Sequence, residues 1–328
     1  MSSSQNPTKL LITGGLGFIG TNLIARLSGL SDVSVRILDY NPTRPSYPPL
    51  QDPSIEVHTA DILNREAVDK AVQGCDSIVH LAASTGVVES IQDPRQSLHV
   101  NIDGTLNLLE AARTFGVKRF VFASSNAAVG NQSPPLCETQ VAAPVSPYGA
   151  GKASCENLLS GYAQAFGLQT AALRFSNVYG IYSGHKGSVV ARMFRAVLDG
   201  EPLTLYGDGE QTRDFVFVED LCNAIWLALN HAPAGSVFQI ASGVETRIAE
   251  LAETIKRLIA RDTSKEVPVR YEPPRKGDVL RNYSDIALAR EQLGFKPTVD
   301  LDDGLERVWQ WFQQMDAGSR FAALDQQP

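Results

Sequence analysis

The amino-acid sequence predicts an α/β fold, with a doubly wound parallel sheet followed by a smaller mixed C-terminal lobe. Three observations lead to this prediction. An apolar run at 9–13 enters a glycine-rich turn and then a helical pattern, which is a strand, turn and helix in succession. Strands and helices keep alternating up to 174, as a parallel sheet with crossover helices requires. Beyond 177 the alternation stops, which indicates a second lobe.

Length and composition narrow the class of protein. A chain of 328 residues suffices for a large domain and a smaller one. We expect 1–175 to form the first, with 214–242 returning to it, and 176–328 to form the second. The formal charge of −7 argues against nucleic-acid or membrane-surface binding. The polar start, and the lack of any apolar run of about 18 residues, lead us to expect a cytoplasmic protein.

The first strand and helix suit a dinucleotide. Gly14, Gly17 and Gly20 let the backbone approach a pyrophosphate, whose charge then faces the N–H groups at the start of the next helix. The second predicted strand ends on Asp39. A carboxylate there accepts both ribose hydroxyls and repels a 2′-phosphate, so the sequence favours NAD over NADP. Arg44 nearby keeps NADP as the alternative.

Four further strands complete the predicted sheet. These strands lie at 55–59, 77–81, 119–123 and 170–174, with helices at 64–72, 97–115 and 147–166. The segment 41–53 carries five prolines and is predicted to lack regular structure. Open α/β sheets bind ligands beyond the carboxyl ends of their strands, where Ala82, Ser124 and Ser125 are expected. Asp61, also at a strand end, either caps the next helix or meets an adenine.

A candidate proton-transfer pair lies on the helix that begins at Pro147. Tyr148 and Lys152 are four residues apart and share one helix face. A cation beside a phenol favours the phenolate, so we expect the pKa of Tyr148 to lie below its usual value of about 10. An ordinary surface pair has the same spacing. The spacing alone therefore does not distinguish a proton-transfer pair from a surface pair.

The second half has a less regular pattern. Helices are predicted at 189–198, 220–230, 248–260, 286–293 and 301–314, and strands at 202–206, 213–218 and 237–240. The cysteines at 75, 137, 155 and 222 have no CxxC spacing and no neighbouring histidine cluster. They predict neither a disulfide framework nor a metal site.

A series of motifs runs in order along almost the whole chain. They are TGGLGFIG (13–20), HLAA (80–83), NIDGTLNLLEA (101–111), SS (124–125), PYGAGK (147–152), LRFSNVYG (173–180), RDFV (213–216) and RKGD (275–278). Together they resemble the extended short-chain dehydrogenase/reductase family, and within it the UDP-sugar 4-epimerases of the UDP-galactose 4-epimerase type. The resemblance implies a Rossmann-type NAD-binding domain and a lobe that binds a UDP-sugar. It also implies a homodimer.

The resemblance assigns roles to individual residues. The implied NAD-binding residues are Gly14, Gly17, Phe18, Ile19, Gly20, Asp39, Asp61, Ile62, Leu81, Ala82, Ala83, Asn101, Ser124, Tyr148, Lys152 and Phe175. The implied catalytic group is Ser125, Tyr148 and Lys152. The implied substrate-binding residues are Thr85, Ser125, Tyr148, Asn177, Val190, Tyr206, Arg213, Arg275 and Asp278. The two arginines among the last set carry planar guanidinium groups that suit a diphosphate.

The activity implied is inversion at C4 of a UDP-hexose through a 4-keto intermediate. The sugar is left open among glucose/galactose, their N-acetylamino forms and glucuronate/galacturonate. Related dehydratases and decarboxylases carry an acid directly after the catalytic hydroxyl, where this chain has Asn126 and Ala127, which favours the epimerase. Another nucleotide-sugar-modifying member of the family (a reductase, dehydrogenase or dehydratase) and a non-catalytic NAD-binding protein are the alternatives, because fold alone does not choose among them.

The chain departs from the family pattern near the expected sugar site. Val129 stands where a Tyr is usual, Ser176 where an aromatic residue is common, and Asn282 at the position that limits sugar size. We expect these changes to reshape the sugar pocket, and the small Asn282 to admit N-acetylhexosamines. Arg192 and Arg281 lie near predicted substrate segments and suit the carboxylate of a uronic acid.

Overall fold

The structure of the protein, a computed structural model, describes residues 8–264, 266–274 and 279–315. The strands of these residues are β1 (Thr8–Thr13), β2 (Val33–Asp39), β3 (Glu56–Thr59), β4 (Ser77–His80), β5 (Arg119–Ser125), β6 (Gln169–Phe175), β7 (Asn177–Tyr179), β8 (Leu203–Tyr206), β9 (Thr212–Arg213), β10 (Phe215–Phe217), β11 (Ser236–Ile240), β12 (Thr246–Arg247) and β13 (Val269–Glu272).

The α-helices of the same residues are α1 (Phe18–Leu27), α2 (Arg65–Val72), α3 (Val87–Gln92), α4 (Pro94–Leu98), α5 (Gly104–Phe115), α6 (Pro147–Phe166), α7 (Val189–Asp199), α8 (Val218–His231), α9 (Ile248–Thr263), α10 (Ala287–Leu293) and α11 (Leu301–Gln314). Short 3-10 helices occupy Pro48–Gln51 and Asn126–Ala128, and a π-helical turn, His99–Asp103, joins α4 to α5. Among the described residues, no helix is both long enough and apolar enough to cross a membrane.

The main sheet has seven strands in the order β11-β6-β5-β4-β1-β2-β3, and every neighbouring pair is parallel. The predicted α/β fold with a doubly wound parallel sheet is confirmed. The strand order reverses between β1 and β4, which is where such sheets open a crevice for a ligand. Thr13 pairs with His80 at the end of these two strands, so the residues that follow both strands lie at the mouth of that crevice.

Helices cover both faces of the sheet. Adjacent residues of β1 point to opposite faces and are both fully buried: Ile12 packs in a core with α1, α8 and α10, and Leu11 in a core with α2, α5 and α6. Burial on both faces explains why the predicted strands read as continuous apolar runs.

A separate hydrophobic core lies in the second half of the chain. It packs α7, α9 and α11 against β8 and β10, with Phe194 stacked on Trp309 at 5.8 Å between ring centroids. After β10 the chain returns to the main sheet, where β11 pairs with β6. The division at 175 and 176 stays a prediction.

The single strand predicted at 213–218 is wrong. Arg213 belongs to β9, which pairs antiparallel with β12, whereas β10 pairs in parallel with β7. Asp214 separates the two strands because its fully buried carboxylate binds other segments. It accepts hydrogen bonds from the backbone N–H groups of Ser242, Gly243 and Ser284, at 2.7, 3.0 and 3.3 Å.

Two other sequence predictions need correction. The segment 41–53 contains the 3-10 helix Pro48–Gln51, because a proline fits the first turn of a helix and Leu50 is buried against the main core. Strand β5 extends to Ser125 rather than ending at 123, so the two serines are strand residues. Strands β7, β12 and β13 and helices α3 and α4 were not predicted as separate elements.

We expect Asp214→Ala to lower the free energy of unfolding by about 3–5 kcal/mol, because three buried N–H donors lose their acceptor. Denaturant unfolding followed by tryptophan fluorescence measures this change. The exposed Asp32 provides the control, and Asp32→Ala should change the free energy by less than about 0.5 kcal/mol. Equal losses in the two variants would contradict this account of Asp214.

Candidate active site

The glycine turn after β1 forms the floor of the crevice. Gly14 has a φ of +67°, and a Cβ on it would lie 2.8 Å from the backbone nitrogen of Ala82. Only glycine allows this approach. Gly17 precedes α1 without any side-chain cap, so the first N–H groups of α1 remain available to an anion. These features fit the pyrophosphate of a dinucleotide.

Asp39, the last residue of β2, binds the glycine turn and the segment that follows β2. Its carboxylate accepts hydrogen bonds from the backbone N–H groups of Leu16 and Asn41, each at 3.0 Å. Burial raises the pKa of this carboxyl above its usual value. Arg44, the basis of the NADP alternative, donates to the carbonyl of Asp52 within its own loop at 3.0 Å. The arrangement favours ribose hydroxyls over a 2′-phosphate at Asp39.

A buried histidine supports the segment after β4. His80 hydrogen bonds to the hydroxyls of Thr13 and Thr105, at 2.7 and 3.0 Å, and burial lowers its pKa to about 3. It is therefore neutral, and Thr13 also accepts from the N–H of Ala82 at 3.2 Å. The predicted cofactor residues Leu81, Ala82 and Ala83 follow directly. His80 itself is a supporting residue, and its place in the HLAA motif is the only feature of the sequence that points to it.

Other predicted cofactor residues have structural partners. Asn101 is buried, and both its amide oxygen and its amide nitrogen hydrogen bond to the backbone of Ser84, at 2.8 and 3.0 Å.

The N-terminal cap of α2 is Asn64, so the interpretation that Asp61 caps this helix is wrong, and Asp61 is exposed. Ile62 and Phe175 are buried apolar residues, and Phe18, Ile19 and Gly20 form the first turn of α1.

Local chemistry fixes the start of α6. The hydroxyl of Ser146 accepts from the N–H of Gly149 at 3.1 Å, and Pro147 occupies the first turn. A Cβ on Gly149 would lie 2.3 Å from the carbonyl oxygen of Ala127. The absence of a side chain at this position lets α6 approach the turn that follows Ser125.

The predicted catalytic residues meet at this contact. The hydroxyl of Ser125 interacts with the phenol of Tyr148 and favours its ionised form, and it also accepts a hydrogen bond from the N–H of Ala127 at 3.2 Å. Lys152 is 3% exposed, and its Nζ donates to the carbonyl of Ala123 at 2.7 Å. The same Nζ lies 4.6 Å from the ring centroid of Phe122 and 5.7 Å from that of Tyr148. The serine, the phenol and the ammonium group are therefore placed to handle one proton.

The expected direction of the Tyr148 pKa shift is wrong. Burial raises the pKa of Tyr148 to about 12, and the hydrogen bond from Ser125 only partly opposes this. Burial also lowers the pKa of Lys152 to about 8. The ammonium group donates to a backbone carbonyl instead of the phenol oxygen, so the loss of hydration outweighs its attraction for the phenolate.

Four predicted substrate residues line one pocket of about 350 Å³, a volume within the usual range for small-molecule sites. They are Asn177, Val190, Tyr206 and Arg213. Ser176 also lines the pocket. It follows Phe175, the residue of β6 that pairs with Ser125 of β5. The pocket therefore begins beside the catalytic group.

Arginines surround the aromatic wall of this pocket. The guanidinium of Arg192 lies 5.9 Å from the ring centroid of Tyr206. Arg213 donates to the carbonyls of Thr212 and Val279, both at 2.7 Å.

The predicted substrate residue Thr85 is not among those that line this pocket, and it is exposed between β4 and α3. Two other predicted substrate residues, Arg275 and Asp278, lie outside the described residues.

Three residues expected near the sugar have different structural surroundings. Val129 is fully buried and does not line the pocket described above, and its expected effect on the sugar pocket stays a prediction. Asn282 accepts a hydrogen bond at 3.2 Å from Asn126, the residue directly after Ser125. The guanidinium of Arg281 forms a bidentate ion pair with the carboxylate of Glu245, with both nitrogen–oxygen distances 2.7 Å.

Comparison with known proteins agrees with this geometry. The model of the NAD dependent epimerase/dehydratase family matches residues 10–241. The chain belongs to this family. Three of its relatives indicate the range of activities within the NAD dependent epimerase/dehydratase family.

A putative UDP-glucose 4-epimerase of Methanocaldococcus jannaschii is 35% identical, over 93% of this chain and 98% of its own length. The crystal structure of UDP-glucose 4-epimerase from Thermotoga maritima with UDP-glucose is 33% identical, with a TM-score of 0.86 over 94% of this chain and 99% of its own. A dTDP-glucose 4,6-dehydratase of Streptomyces niveus is 33% identical over 93% of each chain.

The predicted membership of the extended short-chain dehydrogenase/reductase family and the NAD cofactor are confirmed. The roles of the individual site residues, the homodimer and the cytoplasmic location stay predictions.

We expect Asp39→Ala to weaken NAD binding by about 10- to 100-fold, because charge-assisted hydrogen bonds to the ribose are lost. Its ratio of NADP to NAD affinity should rise, since the repulsion of a 2′-phosphate is removed. Calorimetric titration with both dinucleotides measures these changes. Arg44→Ala is the control and should leave the ratio unchanged, whereas a collapse of NADP affinity in that variant would contradict the assignment.

Proposed function

We propose that this protein is an NAD-dependent 4-epimerase of UDP-hexoses whose C6 carries no charge, acting through a 4-keto sugar. The observation that carries this proposal is the juxtaposition of Ser125, Tyr148 and Lys152 with the pocket that begins at Ser176. A proton-handling group therefore lies next to a cavity of suitable size.

The pocket supports a nucleoside diphosphate as the recognised part of the substrate. The ring of Tyr206 offers a face to a uracil, and Arg213 offers a guanidinium to phosphate oxygens. We assign the same phosphate-binding role to Arg275 by its motif, and a supporting role to Asp278. The M. jannaschii and T. maritima relatives, which are named as UDP-glucose 4-epimerases, agree with a UDP-sugar.

Epimerisation is favoured over dehydration by the residues after the catalytic serine. Sequence identity does not choose, because the S. niveus dehydratase is 33% identical. Elimination of water from the sugar needs a general acid and a general base at the reacting carbons, and related dehydratases carry an acid directly after the catalytic hydroxyl. The residues that follow Ser125 here are Asn126 and Ala127, followed by Ala128 and Val129. None of these four residues has an acidic side chain, so the only proton donor in this part of the chain is Ser125 itself.

Neutral polar groups near the catalytic residues support an uncharged sugar. Asn126 donates to Asn282 and to the hydroxyl of Ser284, at 3.2 and 2.9 Å. Arg281, considered for a uronic acid carboxylate, already forms its ion pair with Glu245.

Arg192, the other arginine expected to suit a carboxylate, lines the pocket assigned above to the nucleoside diphosphate, with its guanidinium 5.9 Å from the ring centroid of Tyr206. We therefore favour glucose/galactose and the N-acetylhexosamines over glucuronate.

The chain's own residues then move one proton. Tyr148 removes the proton of the C4 hydroxyl as that carbon becomes a ketone, and Ser125 hydrogen bonds to the phenol during the transfer. The Lys152 charge favours the phenolate and is lost as the pH rises through about 8. NAD, when bound, supplies the hydride acceptor, the hydride donor for the reverse step and a further positive charge. After the ketone has turned in the pocket, Tyr148 returns the proton.

Product analysis tests the function directly. The protein should be incubated with UDP-glucose, UDP-N-acetylglucosamine and UDP-glucuronate in turn, and the products identified by NMR. We expect the 4-epimer of at least one of the first two, with no net formation of NADH. A 4-keto-6-deoxy product or accumulated NADH would overturn the epimerase, and epimerisation of the glucuronate alone would overturn the uncharged sugar.

We expect Tyr148→Phe to retain NAD but to reduce kcat by about 10²- to 10⁴-fold, because the group that accepts the proton is removed. Steady-state kinetics and the NAD content of the purified protein measure the two effects. Tyr162→Phe is the matched control on the same helix, since its hydroxyl donates to Glu110 at 2.6 Å, and it should keep wild-type kcat. Wild-type turnover in Tyr148→Phe would remove Tyr148 from the catalytic group.

A further inference from the structure

A buried ion pair lies beneath the catalytic group and takes no part in the chemistry described above. Glu156 of α6 is 7% exposed and accepts two hydrogen bonds from the guanidinium of Arg174 in β6, at 2.9 and 2.7 Å. It also accepts from the hydroxyl of Ser124 at 2.5 Å. All three side chains are buried.

Ser124 connects this ion pair to the catalytic group, because it directly precedes Ser125 in β5. Three consecutive residues at the end of β5 are each bound by a residue of α6. Lys152 donates to the carbonyl of Ala123, Glu156 accepts from the hydroxyl of Ser124, and Tyr148 interacts with the hydroxyl of Ser125. Side chains alternate along a strand, so Ser124 and Ser125 point to opposite faces. Glu156 therefore holds the strand from the face opposite to the one that Ser125 presents.

A stability role alone does not account for such a group. Two charges removed from water lose their hydration, and well-packed apolar residues of similar volume stabilise a core equally well or better. Glu156 is also one helical turn from Lys152, on the same face of α6. The carboxylate is thus connected to the catalytic serine through Ser124 and to the ammonium group through space.

We propose that Glu156 is a positioning residue that anchors the end of β5 behind Ser125 and keeps Lys152 in its charged form. This inference rests on the proposed function for its kinetic consequences. Burial lowers the pKa of Lys152 to about 8, and the electrostatic effects of Cys155 and of Glu156 oppose that shift. The ionisable groups that face Lys152 are Tyr148, Cys155 and Glu156 from α6 and His80 from β4, and Arg174 of β6 binds Glu156.

Glu156→Gln tests the electrostatic part, because glutamine keeps the shape and one acceptor oxygen but removes the charge. The alkaline limb of the kcat profile should move from near pH 8 to a lower pH by about 0.5–1 unit, with KM changed by less than about twofold. Activity should approach the wild-type value at low pH. A uniform loss at every pH, or an unmoved limb, would overturn the electrostatic role.

Ser124→Ala tests the anchoring part without changing any charge. We expect kcat to fall by about tenfold at every pH while the alkaline limb stays at its wild-type position. Wild-type kcat in this variant would overturn the anchoring role, and the test remains valid if Glu156→Gln does not fold. Glu110→Gln, which removes a carboxylate from the Arg113 pair on α5, is the matched control and should leave the limb in place.

A readout that does not need turnover separates this inference from the proposed function. The titration of the Lys152 Nζ can be followed by ¹⁵N NMR in the wild type and in Glu156→Gln, with Lys152→Met for assignment. A pKa lower by about 0.5–1 unit in Glu156→Gln supports the inference, and an equal pKa overturns it. An inactive wild-type protein would overturn the proposed epimerase and leave this comparison intact.

Discussion

The contact between the start of α6 and the end of β5 is the constraint on which the site depends. It exists because Gly149 has no side chain to meet Ala127 and because Lys152 extends to the carbonyl of Ala123. The same strand end pairs with Phe175 of β6, after which the pocket begins. One packing contact thus sets the distance between the proton-handling residues and the space where a sugar would lie.

Burial at this contact has opposite effects on its two ionisable groups. It raises the pKa of Tyr148 to about 12 and lowers that of Lys152 to about 8. Both shifts favour the neutral forms, so the residues alone do not produce a phenolate at neutral pH. The exclusion of water strengthens the electrostatic effect of every nearby charge. In the mechanism we propose, the charges that favour the phenolate of Tyr148 are Lys152, supported by Glu156, and the bound cofactor.

Local patterns were sufficient for the architecture of the main sheet. The glycine turn, the alternation of strands with helices and the proline that opens α6 all depend on neighbours in the sequence, and the structure places them as predicted. The site was predicted less completely, because its properties depend on distant residues. Asp214 interrupts a strand only because it meets Ser242 and Ser284.

The direction of the Tyr148 pKa shift required knowledge of its burial, which no local spacing reveals. Glu156 likewise has no distinguishing feature in the sequence, because its contact with Arg174 is visible only in the structure.

The most direct test of the account is the fate of the hydrogen on C4 when a UDP-hexose is turned over in D₂O. Inversion through a 4-keto sugar, with hydride removed from and returned to the same carbon, predicts that the product retains protium at C4, as measured by NMR or mass spectrometry. Deuterium at C4 of the epimerised product would show exchange with solvent and would contradict the mechanism.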